Sequence, residues 1–146
     1  MPAAEFASGG LRGFFEGFAA SSNAGDIDAL ARLYAPTIMV AAPTGAHVVS
    51  SADLTRAIPQ RRRMLDALGC RRTSLAGLEE TPLDDRYTLV RAEWRWDFEP
   101  AGGAPTALTL PSTFIVDRSG DAPRIVVYVM HQDLTVVLRD RGLAPQ

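Results

Sequence analysis

The chain has 146 residues, of which 47% are hydrophobic and 22% are charged, and its formal net charge is −2. This balance excludes a disordered chain and predicts one folded domain spanning residues 1–146. The weak acidic charge gives no electrostatic reason to expect nucleic acid or a membrane surface as a partner. No apolar run reaches the roughly 18–20 residues that span a bilayer, and Met1–Glu5 lacks the regions of a signal peptide. We therefore expect a cytoplasmic protein.

Scarce residue types exclude several kinds of site. Cys70 is the only cysteine, which excludes an intramolecular disulfide and a cysteine-based metal cluster. All 15 basic residues are arginines, so neither Schiff-base chemistry nor a P-loop lysine is available. With only His47 and His131, a multi-histidine metal site would have to use both of them and add carboxylates. We expect no metal and no cofactor.

Helices dominate the first half of the predicted structure. Four apolar residues recur at helical intervals and predict an amphipathic helix over residues 4–20. They are Leu11, Phe14, Phe15 and Phe18. Asp26 is placed to cap a second helix over residues 27–34, which Pro36 would end. A third helix begins after Ser50 or Ser51, and Pro59 should kink or split it.

Strands dominate the rest. The pattern predicts short strands at residues 38–42 and 47–49, then four long ones over residues 71–80, 86–99, 106–117 and 123–132. A last helix follows over residues 134–141. Helices followed by a meander of long strands indicate an α+β fold. A long sheet curving over helices leaves a pocket with one mouth, where a small molecule would bind.

Two segments have a recognisable pattern: the string from Asn23 to Ala35 and the ending from Arg124 to Leu134. They resemble the nuclear transport factor 2-like superfamily, which includes ketosteroid isomerases, limonene epoxide hydrolases and SnoaL-like polyketide cyclases. The likeness covers nearly the whole chain. It implies a cone-shaped, curved antiparallel sheet wrapped around N-terminal helices. Because this fold hosts enzymes and binding proteins alike, it implies no particular chemistry.

The positions that resemble catalytic ones in ketosteroid isomerases carry unsuitable residues. The family's tyrosine falls on Phe18 or Ala19, its general base falls on Ala42, and its second acid falls on Thr113. A proton shuttle without a base cannot operate. The resemblance therefore argues against isomerase chemistry of that kind.

The last strand departs from the related cyclases and epoxide hydrolases in a similar way. Their aspartate falls on Met130, and a frequent cyclase histidine falls on Tyr128. Arg95 and Asp97 match the Arg-x-Asp spacing of epoxide hydrolases, but the second carboxylate is missing. Because charges alternate along this strand, we interpret the pair as part of a solvated cross-strand ladder. His131 should lie on the face opposite Tyr128, at the surface or at an interface.

The strand over residues 106–117 presents a conflict. Its more apolar face carries Leu108, Leu110, Phe114 and Val116. The resemblance, however, places Thr113 of the other face in the pocket. Either a bulge at Pro111 switches the alternation, or a second subunit covers an apolar outer face. The last strand is apolar on both faces and needs cover on both, so we predict a homodimer packed through the sheet.

We predict a protein that binds a small hydrophobic molecule in an apolar and aromatic pocket. The expected lining residues are Phe14, Phe18, Tyr34, Ala42, Trp94, Thr113, Tyr128 and Met130. One alternative is a cofactor-independent isomerase, cyclase or hydrolase with a non-standard site, using Tyr34, Tyr128, Asp97 or His131 to carry protons. Another is a homodimeric association module without a ligand. A buried carboxylate or histidine in the pocket favours the enzyme, and a collapsed cone favours the module.

Overall fold

The computed structural model describes residues 11–145, which form helices around a curved six-stranded sheet. The helices are α1 (Leu11–Ala24), α2 (Ile27–Arg32), α3 (Ser51–Arg56), α4 (Ile58–Ala67) and α5 (Leu134–Asp140). The strands are β1 (Tyr34–Ala42), β2 (Gly45–Ser50), β3 (Cys70–Pro82), β4 (Tyr87–Phe98), β5 (Thr106–Asp117) and β6 (Arg124–Met130). The predicted α+β fold is confirmed.

The sheet has the order β2-β1-β6-β5-β4-β3. Neighbouring strands run antiparallel except β1 and β6, which are parallel. The inner face of the sheet holds α1, whose buried residues Leu11, Phe15 and Ala19 recur at intervals of four. No helix within residues 11–145 is both long enough and apolar enough to cross a membrane.

Several predicted boundaries need correction. The second helix ends at Arg32, so Tyr34 begins β1 and Pro36 lies within that strand rather than ending a helix. Pro59 does split the third predicted helix, because α3 ends at Arg56 and Pro59 lies in the first turn of α4. The first seven residues of the predicted segment 4–20 fall outside the described residues.

Two hydrophobic clusters fill the space between the sheet and the helices. The larger one, called the aromatic cluster here, centres on Phe15 of α1, whose ring lies 4.9 Å from that of Phe114 and 6.4 Å from that of Trp94. The smaller one, called the terminal cluster, joins Phe98 to α4 and α5. It contains Leu65, Cys70, Phe98, Leu108 and Leu138. Both clusters use the inner face of the sheet.

In β5 the more apolar face points inward, as the alternation of its residues indicates. Phe114 and Val116 are fully buried on the inner face, and Pro111 pairs with Glu93 in an unbroken register, so there is no bulge at Pro111. Thr113 therefore points outward, and its predicted place in the pocket is wrong. A register shift does occur in β6, where Ile125 pairs with Val116 but Val127 pairs with Ile115. The extra residue, Val126, turns Ile125 into the core.

The end of α1 is fixed to the edge of the sheet by one side chain. The Asn23 amide donates to the Thr73 carbonyl oxygen at 2.7 Å, and its own oxygen accepts from the Thr73 backbone N–H at 2.9 Å. Gly25, with φ of 69°, then turns the chain into α2, which Asp26 caps through the Ala29 N–H. This string in the sequence thus has a structural role.

Candidate functional site

A cavity of about 400 Å³ lies between the aromatic cluster and the terminal cluster. The inner face of β4, β5 and β6 forms one wall, and α1, α3 and α4 form the other. The volume falls at the lower end of the range for small-molecule sites. The predicted cone is therefore not filled by its own side chains.

Aromatic rings line much of this cavity. Phe18 of α1 lies between Trp94 and Tyr34, with ring centres 5.5 and 6.0 Å away. Tyr128 of β6 stacks on Phe114 at 4.8 Å with an interplanar angle of 26°. These contacts set the orientations of the rings along this part of the wall.

Several residues with hydroxyl groups interrupt the apolar wall, among them Tyr34, Ser112 and Tyr128. Burial raises the pKa of the Tyr34 phenol well above its usual value; Tyr128 adds to that rise, and the positive charge of Arg61 opposes it. Tyr34 therefore stays protonated at every physiological pH. It is suited to donate a hydrogen bond and unsuited to act as a base.

Two arginines of α4 also border the cavity, and the sequence interpretation missed them. The Arg61 guanidinium lies 5.3 Å from the centre of the Trp96 ring. Arg62 donates to the Ser22 carbonyl oxygen at 3.1 Å and pairs with Asp66 at 3.2 Å. In the sequence, the three arginines at residues 61–63 indicate a solvent-exposed helix face. The break at Pro59, which changes the direction of α4, is the signal that could have indicated arginines at the cavity.

The structure gathers six of the eight predicted lining residues around the cavity. They are Phe18, Tyr34, Ala42, Trp94, Tyr128 and Met130. Phe14 is not among them, because it packs edge-on against Phe15 at 5.0 Å beside the aromatic cluster. Thr113 lies on the outer face, where its Oγ1 shares a 2.6 Å hydrogen bond with His131 Nε2. These two placements correct the prediction.

The charged residues of β4 stay on the outer face of the sheet, as expected. Arg95 pairs with Asp97 at 2.9 Å, and Arg91 pairs with Glu93 at 3.3 Å. Both pairs run along β4 instead of across to a neighbouring strand, so the ladder differs from the predicted one in direction. Asp97 is thereby separated from the cavity by the sheet.

Two further titratable residues border the cavity, Asp133 and Cys70. Asp133 borders it but is exposed, and its carboxylate accepts from the Thr135 and Val136 backbone N–H groups at the start of α5. Burial raises the pKa of the Cys70 thiol, which keeps it protonated. Within residues 11–145 no group of three or more histidine, cysteine or acidic residues is placed to hold a metal ion.

Solved structures with the same architecture are numerous, although the three named next share at most 18% identity with this chain. Aln2 from a Streptomyces species is 16% identical with a TM-score of 0.73, covering 97% of this chain and 99% of its own. The beta subunit of benzoate 1,2-dioxygenase from Burkholderia mallei is 18% identical with a TM-score of 0.66, covering 87% and 91%. An NTF-2 like protein of unknown function from Shewanella oneidensis is 18% identical with a TM-score of 0.64, covering 84% and 96%. At this identity the likeness establishes the fold alone.

No curated protein matches the sequence. A family model described as NTF2-like protein (DUF6841) does match it, over residues 7–133. This match spans the elements from α1 to β6, including the inner face that borders the cavity. The chain belongs to this NTF2-like family.

Proposed function

We propose that the chain binds a small hydrophobic molecule in the cavity between its two hydrophobic clusters. The observation that carries this proposal is an open, mainly apolar cavity of about 400 Å³ at the inner face of the sheet, with five aromatic residues in its wall. Burying the apolar surface of a ligand there would favour binding by a free energy of roughly 25 cal/mol per Å² removed from water. A collapsed interior, which the association module requires, does not fit this geometry.

The enzyme alternative has less support. Two of the four residues considered as proton carriers, Asp97 and His131, lie on the outer face. The two that border the cavity, Tyr34 and Tyr128, are phenols, and burial holds Tyr34 in its protonated form. Phenols of this kind orient a ligand by hydrogen bonding, which is the role that the proposed binding function gives them.

Native mass spectrometry of the purified protein, followed by denaturation and extraction, tests this function. We expect a bound compound of low molecular mass that is mostly apolar and leaves on denaturation. A protein purified without ligand that also fails to bind the neutral apolar probe N-phenyl-1-naphthylamine would contradict the proposal.

As a chain with a single, buried cysteine, the protein is proposed to work in the cytoplasm.

We also propose that two copies pack through the outer face of the sheet. Its β1–β2–β6 part is apolar: Val48 is 61% exposed, Met39 is 38% exposed, and Val127 and Val129 lie beside them. Exposed apolar patches on a sheet commonly mark association sites.

Val48→Glu tests the dimer, because it places a charge in the middle of a surface that the partner would desolvate. We expect it to shift native mass spectra from dimer to monomer, with a dissociation constant raised at least tenfold. His47→Glu is the matched control, since it adds the same charge to an exposed neighbour on the opposite face of β2. A wild-type monomer, or equal effects of both variants, would overturn the proposed interface.

A further inference from the structure

The hydroxyl groups of the cavity wall are not used by the protein itself. Tyr34 is only 5% exposed and Ser112 only 6%, yet neither side-chain hydroxyl makes a hydrogen bond to any residue in the range 11–145. Buried polar groups in folded proteins nearly always have a partner. Both residues border the cavity, so their hydroxyls are available to a polar group that occupies it.

Arg61 supplies a positive charge at the same cavity. Its neighbour Arg62 is engaged with Asp66 and the Ser22 carbonyl oxygen, whereas Arg61 pairs with no carboxylate in the described part of the chain. The Arg61 guanidinium instead lies over the Trp96 ring. A guanidinium that lies over an aromatic ring keeps its N–H groups available to an acceptor.

One acidic residue of the described part of the chain borders the cavity, and it forms no ion pair with Arg61. Asp133, the acidic residue that borders it, is exposed and is already held by two backbone N–H groups of α5. Wall groups that can donate, together with one arginine that has no carboxylate partner among residues 11–145, are complementary to an acceptor that carries a single negative charge.

We infer that the ligand is an aromatic carboxylate, whose rings pack against Phe18 and Trp94 and whose carboxylate is held by Arg61. This inference rests on the proposed binding function and specifies the chemical class that the cavity selects. Tyr34 completes the site as a neutral hydrogen-bond donor. A planar carboxylate matches the fork of a guanidinium, and the aromatic walls match a planar ring system.

Isothermal titration calorimetry with two probes of the same shape tests this inference. The probes are 2-naphthoate and its neutral amide, 2-naphthamide, which differ in charge and hardly in apolar area. We expect the wild-type protein to bind naphthoate at least tenfold more tightly than naphthamide. We expect Arg61→Gln to remove that preference by weakening naphthoate alone.

Arg63→Gln is the control variant, because Arg63 is an exposed neighbour on α4 that does not border the cavity. It should bind both probes as the wild type does. Equal affinity of the wild-type protein for the two probes would overturn the inference while leaving the binding function intact. A wild-type protein that binds neither probe nor N-phenyl-1-naphthylamine would overturn both. The comparison of the probes on the wild-type protein stands even where Arg61→Gln folds poorly.

Discussion

The two ends of the inner face carry the same kinds of residue, but side chains fill one end and border the cavity at the other. At the aromatic cluster, Phe15 and Phe114 are fully buried and fill the space between α1 and the sheet. On the strands that flank β5, Trp96 of β4 and Met130 of β6 border the cavity instead. Hydrophobicity and alternation are alike in both regions. The difference lies in the helices opposite, because α1 packs directly on the sheet at the aromatic cluster whereas α3 and α4 face it across the cavity. An apolar face alone therefore does not distinguish core from site.

The largest effect should come from removing a side chain at the filled end. Phe15→Ala deletes a fully buried ring with four aromatic neighbours, and we expect it to lower the free energy of unfolding by about 3–5 kcal/mol. Urea denaturation at pH 7 and fixed protein concentration measures this change.

Met130→Ala is the matched substitution at the hollow end. Met130 is half-buried beside space that is already empty, so its removal creates no new enclosed cavity, and we expect a loss of about 1 kcal/mol or less. Equal losses in the free energy of unfolding for the two variants would mean that the cavity closes in solution. The two ends of the inner face would then not differ in packing.

A smaller effect, and one that depends on pH, is expected from the ion pair beside the filled end. Arg86 donates to both carboxylate oxygens of Asp117, at 3.1 and 3.0 Å, and this lowers the pKa of Asp117 from 3.8 to about 2. A depressed carboxylate pKa stabilises the folded state above about pH 4, and this stabilisation is lost as the pH falls towards 2.

Asp117→Asn should therefore cost about 1 kcal/mol at pH 7, a modest value because Arg86 is 56% exposed and the pair is screened. The difference from the wild type should vanish near pH 2. Denaturation curves at several pH values measure it. A constant difference across that range would show that the loss comes from packing rather than from charge. The variant should leave binding of naphthoate unchanged, because the pair lies outside the cavity.

The order of the elements and most of the aromatic wall could be predicted from the sequence, because both depend on local periodicity. Alternation and the resemblance together predict Phe18, Trp94 and Tyr128 in the pocket, and all three border the cavity. The resemblance alone predicts Thr113 there, whereas the alternation in β5 turns it outward. The bulge at Val126 was not predicted, since no glycine or proline marks it and its cause lies in the pairing with β5.

The role of Arg61 could not be predicted, for a different reason. Three consecutive arginines on a helix look alike in a sequence, and which of them border the cavity depends on the direction that α4 takes after Pro59. The environment of the Tyr34 hydroxyl could not be predicted for the same reason. Its burial beside Tyr128 and Arg61 follows from the meeting of elements that are distant in the sequence, and no local pattern records it.

The bridge between Asn23 and Thr73 has a consequence for how the protein behaves when it is concentrated. β3 is the outermost strand on its side of the sheet, and an outermost strand offers free backbone groups that recruit further strands into fibrils. The Asn23 amide occupies both backbone groups of Thr73, and register shifts near Arg72 and Gly77 distort the strand on either side. Copies of this chain are thereby steered away from growth into a continuous sheet along that border.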